Sequence, residues 1–227
     1  MITLINDNFI NVIPTLNDES VSLFLIDIPY NISRDNNFNS MKDRKNRVGI
    51  DFGEWDKEFD ESSLNILIPK LKKGGSILIW SAFEQFDIIR EVFQELEIKD
   101  KLIWEKSNPM PRNRDRRYVS NIELCTWYVK KGGKWVFNRQ KENYESCVLR
   151  YPSESGGGFI RYHPTQKNLE MIKYLINIHS NPKDMVVDCF LGGGTTGVAC
   201  KILDRDFIGV ELDKNYFEIS KKRIENL

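Results

Sequence analysis

Residues 186–203 read VVDCFLGGGTTGVACKIL. An apolar run ending in Asp188 suits a short buried strand. Gly192, Gly193 and Gly194 can then turn the chain on positive φ, and the apolar stretch after them suits a helix. Thr195 and Thr196 can cap that helix and present its first N–H groups to an anionic group. Because a ligand can approach a glycine backbone closely, the whole stretch describes a cofactor-shaped turn. The next apolar run, RDFIGVELD at 205–213, carries Glu211. It lies about twenty residues beyond the turn, where an acid on the neighbouring strand accepts hydrogen bonds from ribose hydroxyls.

Outward from this unit, short apolar runs alternate with amphipathic stretches, the pattern of an α/β fold with a mainly parallel sheet and helices on both faces. The periodicity predicts strands at 3–5, 21–27, 76–80, 101–105, 124–129, 185–188 and 207–210. It predicts helices at 62–72, 84–96, 167–179, 195–203 and 214–225, with Lys72-Lys73-Gly74-Gly75 as a basic, glycine-terminated helix end. No linker divides the chain, so 1–227 reads as one domain. Two stretches break the alternation: a polar loop at 31–60, and a region from about 106 to 160 that opens with KSNPMPRNRDRRYVSN. Loops of such length are usually functional or disordered, and the bland alternative is a solvated insertion.

The 227 residues are 41% hydrophobic and 11% aromatic, enough for one good core, and 33 basic residues balance 33 acidic ones. Affinity for a polyanion must therefore come from a local patch. Cys125, Cys147, Cys189 and Cys200 form no CxxC pair, so neither a metal site nor a disulfide framework is indicated. No apolar run approaches the roughly 18–20 residues of a membrane span and no signal segment opens the chain, which predicts a cytoplasmic protein.

Gly192, Gly194 and Gly197 also satisfy GxGxxG, the dinucleotide fingerprint, which makes a nicotinamide dehydrogenase a competitor. Only residues 198–227 follow, too few for a second nucleotide-binding half in the usual order, so a single nucleoside-like cofactor fits better.

A second stretch, LFLIDIPYN at 23–31, ends a buried strand on an acid. Alone, Asp27 could be a helix cap or turn former. Asp27-Ile28-Pro29-Tyr30, Phe190-Leu191-Gly192-Gly193-Gly194-Thr195-Thr196 and RYHPTQKN at 161–168 together resemble the amino-group DNA methyltransferases. That family carries an Asp/Asn/Ser-Pro-Pro-Tyr/Phe motif, a Phe-x-Gly-x-Gly-Thr-Thr motif and a His-Pro-Thr-Gln-Lys segment. The catalytic motif comes first and the cofactor motif last, an order similar to the family's beta class.

The resemblance implies a Rossmann-like fold using S-adenosylmethionine to methylate the exocyclic amino group of a base in DNA. Adenine is implied by the leading Asp, because the family's cytosine enzymes usually begin the motif with Ser. The alternatives are a cytosine enzyme, an RNA or protein amino-group methyltransferase, and an inactive DNA-binding homologue. Asp27 and the carbonyl of Ile28 are implied to accept the two amino hydrogens, Pro29 to keep the chain extended, and Tyr30 to stack on a flipped base. Asp7, Asp188, Phe190, Gly192, Gly194, Thr195, Thr196 and Glu211 are implied to hold the cofactor. Thr165 and Lys167 are implied at its methionine end, Lys167 pairing with its carboxylate. Arg112, Arg114, Arg116 and Arg117 are candidates for phosphate contacts, or a solvated basic loop. DNA is the implied partner, with a homodimer and a cognate restriction endonuclease as further expectations, within a restriction-modification pair or as a phage or orphan enzyme. Three positions depart from the family pattern: Ile28 stands where the family has its first proline, Asn6 replaces a glycine before Asp7, and Asn168 replaces a proline after Lys167.

Overall fold

The computed structural model describes residues 1–31, 59–109, 118–154 and 160–227. Among these residues eight strands form one sheet: β1 (Ile2–Asn6), β2 (Val21–Asp27), β3 (Leu71–Ser81), β4 (Glu97–Lys106), β5 (Ile122–Val129), β6 (Val148–Tyr151), β7 (Met185–Asp188) and β8 (Asp206–Glu211). Their spatial order is β1-β8-β7-β2-β3-β5-β4-β6. Every pairing is parallel except the two made by β5. The carboxyl ends of β1, β8, β7, β2 and β3 therefore share one edge, and β5 brings its beginning to that edge.

The central strands are buried on both faces, which is why they read as continuous apolar runs rather than alternating ones. Along β2, Leu23 and Leu25 join one core with α4 (Leu169–His179), α5 (Thr195–Ile202) and the Ile224 side chain of α6 (Lys214–Glu225). Phe24, Ile26 and Ile28 join the other, with α1 (Phe9–Val12), α2 (Leu67–Lys70) and α3 (Phe86–Val92). Each such side chain, fully buried, contributes roughly 1.5–3 kcal/mol. Among the described residues no helix is long and apolar enough to cross a membrane.

The position of the site follows from the connections. From β7 the chain runs through α5 to β8 on one side, while β2 is followed in the sheet by β3 on the other. β2 and β7 are themselves paired, Leu23 beside Val186 and Phe24 beside Val187. Connections leave this pair in opposite directions, so a crevice opens at its carboxyl end, where ligands of open α/β sheets bind.

All seven expected strands are present, and β6 is an addition, too short at four residues to announce itself. The helix expected over 62–72 is not formed. Glu61–Ile66 is a 3-10 turn, α2 has a single turn, and Leu71 already begins β3. Pro69 has no N–H and is tolerated only in a first turn, so no long helix can run through it. Gly74 and Gly75 consequently belong to a strand rather than a helix end. Gly74 donates to the Lys130 carbonyl at 2.8 Å, and a Cβ on it would lie 2.5 Å from the carbonyl oxygen of Lys134. Helix 84–96 is shortened to α3, because the chain unwinds after Val92 and buries both Phe93 and Leu96. Of the polar loop at 31–60, residues 32–58 lie outside the described residues. Its two ends are clipped together: Asn31 Nδ2 donates to the Phe59 carbonyl at 3.0 Å and its Oδ1 accepts the Phe59 N–H at 2.9 Å.

Candidate active site

Four acids stand along the carboxyl edge in sheet order: Asp7 after β1, Glu211 on β8, Asp188 on β7 and Asp27 on β2. Asp7 accepts the Asn8 N–H at 2.6 Å and the Asn11 amide at 2.9 Å, bonds that hold its carboxyl below the usual range. Asn6, where the family has glycine, donates to the carbonyls of Glu211 and Leu212 at 2.8 and 3.1 Å and so ties β1 to the exit of β8. Glu211 accepts the Gly192 N–H at 2.7 Å and the Asp213 N–H at 2.9 Å. A carboxylate offers about four acceptor sites, so Glu211 is oriented by these bonds without being saturated.

The glycine turn is held from both sides. Gly192 and Gly194 have φ of 50° and 79°, left-handed values that a side chain disfavours. Gly194, not a threonine, is the N-cap of α5, and it supplies no side-chain bond to the first turn. The threonines expected as caps are turned to other partners: Thr195 Oγ1 accepts from Arg223 at 3.1 Å, and Thr196 bonds Asp188. Arg223 also donates to the Gly193 carbonyl at 2.7 Å. Asp188 accepts the Phe190 N–H at 3.0 Å, and burial pushes its carboxyl up to about 7. Gly197 serves packing, since a Cβ there would lie 2.4 Å from Ile224 Cδ1. Phe190 packs against Phe9 and Phe59 with ring centroids 5.0 and 5.4 Å away.

The segment 161–168 lies over this turn. His163 packs on Gly192 and Gly193, stacks edge-on against Tyr216 at 4.3 Å, and shares a 3.1 Å contact with Thr165 Oγ1. Burial lowers the His163 imidazole to about 4, so it is neutral near pH 7 and acts as a turn residue. Asn168, where the family has proline, caps α4 by accepting the Met171 N–H at 3.0 Å. Between these anchors Lys167 is delivered to the end of β2.

At that end Asp27 and Tyr30 are both engaged. Lys167 Nζ bonds Asp27 Oδ2 and lies 3.0 Å from Glu123 Oε2. Tyr30 Oη donates to Asp27 Oδ1 at 3.0 Å and approaches Glu123 Oε2 at 3.4 Å. Lys106 pairs with Glu123 Oε1 at 2.5 Å. Burial raises the Asp27 carboxyl above its ordinary range, an effect that Lys167 opposes and the Glu123 charge reinforces. Burial works against the Lys167 ammonium, but Asp27 and Glu123 outweigh it and hold its pKa above the ordinary value. Burial, Asp27 and Glu123 keep the Tyr30 hydroxyl protonated. Where Lys167 was expected at a cofactor carboxylate, the structure places it between two carboxylates of the protein.

Ile28 explains its own departure. Its N–H donates to the Trp80 carbonyl at 3.4 Å, extending the ladder by a bond that proline could not make, and its side chain is 2% exposed in the core. Gln85, buried, accepts the Ala82 N–H at 3.0 Å and donates to the Pro29 carbonyl at 2.8 Å and to Glu61 at 2.7 Å. The loop that a second proline would stiffen is thus pinned from α3's approach.

Sequence reasoning missed Glu123, Lys106, Gln85 and Arg223. None sits in a motif, and no local signal distinguishes Glu123 from any acid opening a strand. Arg112, Arg114, Arg116 and Arg117 lie outside the described residues. Burial raises the thiols of Cys125, Cys189 and Cys200 and makes them poor nucleophiles.

An acid at the end of β2 beside a glycine turn at the end of β7 is one half of the comparison with known proteins; the other is sequence. A family model for N6 and N4 methyltransferases, described as DNA methylase, matches residues 21–222. The chain belongs to this DNA methylase family. It is 29% identical over 251 residues to the type II methyltransferase M.HinfI of Haemophilus influenzae, a match spanning 99% of this chain and 68% of that protein. With the type II methyltransferase M2.DpnII of Streptococcus pneumoniae it shares 27% identity over 247 residues, spanning 99% and 90%. The crystal structure of the M1.HpyAVI–SAM complex superposes with a TM-score of 0.76 at 34% identity, over 100% of both chains. Membership in the DNA methylase family accounts for the mainly parallel sheet and for the placement of all three motifs at one edge.

Proposed function

We propose that this chain is a site-specific DNA methyltransferase that transfers a methyl group from S-adenosylmethionine to the exocyclic amino group of adenine. The observation that carries this reading is the pairing of β2 with β7, which sets Asp27 beside the glycine turn at the crevice. Asp7, Asp188, Phe190, Gly192, Gly194, Thr195, Thr196 and Glu211 would hold the cofactor, and the oriented but unsaturated Glu211 carboxylate suits ribose hydroxyls. When bound, S-adenosylmethionine supplies a methyl group made electrophilic by its sulfonium.

The protein's task is alignment. An amino nitrogen on a base is a poor nucleophile because its lone pair is delocalised into the ring. Two acceptors on its hydrogens, the Asp27 carboxylate and the Ile28 carbonyl, localise that pair and aim it. Gln85 holds the following carbonyl, that of Pro29, so the peptide between the two acceptors and Tyr30 keeps one orientation. The methylated nitrogen is cationic and sheds a proton, for which the Asp27 carboxylate is the acceptor in place. Tyr30 offers its ring to a base flipped from the duplex. Arg112, Arg114, Arg116 and Arg117 supply phosphate contacts in this reading, and the shortness of 131–160, the segment where the family places target recognition, favours a short site or help from a second copy of the chain. A cognate nuclease would make it half of a restriction-modification pair.

Incubation with labelled S-adenosylmethionine and DNA, RNA or protein acceptors tests the reading. Label in DNA, recovered as N6-methyladenine after digestion to nucleosides, is the expected result. Label recovered as N4-methylcytosine, or found only in RNA or protein, contradicts it.

A further inference from the structure

The geometry points to Glu123 as a positioning residue of this site, the carboxylate that takes over the Lys167 ammonium when the target amino group claims Asp27. The inference rests on the functional reading above and concerns a residue outside all three motifs. Both oxygens of Asp27 are engaged: Oδ2 by Lys167 and Oδ1 by Tyr30 at 3.0 Å. Each oxygen keeps a further acceptor site, but an ammonium held on Oδ2 draws off the charge that would localise the amino lone pair, so Asp27 becomes the stronger acceptor when Lys167 turns away.

Lys167 cannot simply withdraw, because its side chain is only 7% exposed and a buried ammonium without a counter-charge is costly. Glu123 solves this by position. Its Oε2 is already 3.0 Å from Lys167 Nζ and 3.4 Å from Tyr30 Oη, so both partners of Asp27 can turn to it without leaving the pocket. Its other oxygen is fixed by Lys106 from β4. Two carboxylates and two ammonium groups leave the cluster neutral whichever carboxylate Lys167 favours. Among the described residues, the other ionisable groups that interact with the cluster are Cys125, two positions along β5, Asp188 on β7 and His163, whose imidazole the Lys167 charge helps to keep neutral. Without a charge at 123, Lys167 has Asp27 as its one carboxylate among the described residues and is locked on it.

Glu123→Gln keeps the shape and removes the charge. The expected result is a fall in kcat of about 100-fold, the size of a misplaced reacting group, with the Kd for S-adenosylmethionine within about twofold of wild type. The decisive readout is the pH profile of kcat: with Lys167 locked on Asp27, its acid limb moves to lower pH by about one unit. Glu123→Asp retains the charge further back and should show a smaller loss and a smaller displacement; it also serves as the test if the Gln variant does not fold. An acid limb unmoved from wild type, whatever the rate, overturns the proposal while leaving the methyltransferase reading intact. Wild-type protein that methylates no DNA overturns both.

Discussion

The two halves of the sheet present their functional groups in opposite ways. On the half made by β1, β8, β7 and β2, all strands are parallel, and each delivers its acid as the strand ends: Asp7, Glu211, Asp188 and Asp27. On the half made by β3, β5, β4 and β6, the reversed β5 brings its second residue, Glu123, to the same edge, and the last residue of β4, Lys106, meets it there. The first half can be found by reading along the chain, because strand, turn and acid are contiguous. The second exists only once strands are paired. A site assembled at a carboxyl edge therefore recruits unannounced residues wherever an antiparallel strand begins.

Substitutions can break or sharpen this contrast. The largest effect on stability is expected at the turn of the parallel half. In Gly194→Val a side chain at φ 79° would also place its Cβ 2.9 Å from Ser220 Cβ. Left-handed strain plus overpacking should cost about 4 kcal/mol, read as a lowered urea midpoint, and S-adenosylmethionine binding should be lost with it. If the variant matched wild type, the turn would not be the rigid element described.

Next comes Asp188. Burial raises its carboxyl to about 7 in the folded protein, well above its ordinary value of 3.8. A raised carboxyl contributes stability that is complete below the unfolded pKa and is lost as pH rises through the folded one. Wild-type stability should therefore fall between pH 5 and pH 8, by about 3 kcal/mol if this group acts alone. Asp188→Asn, which keeps an acceptor for the Phe190 N–H, should flatten that slope in urea titrations at the two pH values. An equal slope in both proteins would contradict the buried, raised acid.

The smallest effect separates main chain from side chain at the junction of the two halves. Ile28→Val keeps the carbonyl and the bond to Trp80 while removing one buried methyl group. It should destabilise by about 1 kcal/mol and leave the methyl-transfer rate within about twofold. A large loss of rate would show that the side chain, not the carbonyl, matters at this position.

Legibility follows the same division. The glycine turn, the acid that ends β8 and the aspartate that ends β2 could be read because each sits at or within a few residues of a strand end whose burial shows as an unbroken apolar run. The helix expected over 62–72 failed at Pro69, and Gly74 after it serves a close approach to Lys134 that pairing alone reveals. Asn6 and Asn168 looked like lapses from a pattern, yet one ties two strand ends together and the other caps α4. Ile28 looked like a weakened motif and instead gains a ladder bond and core packing. Gln85 and Glu123 act across the sheet on a stretch far from them in sequence, so no local window could have found them.

The central claim is that the Asp27 carboxylate, presented at the crevice between β2 and β7, aims the amino group of a base in DNA. Methyl transfer from labelled S-adenosylmethionine to DNA, measured for wild type and Asp27→Ala together with the cofactor Kd of each, tests it most directly. The account predicts a loss of at least about a hundredfold in transfer, the size of a lost alignment, with the cofactor Kd changed by no more than a few-fold. Transfer by Asp27→Ala at a rate near that of wild type would contradict it.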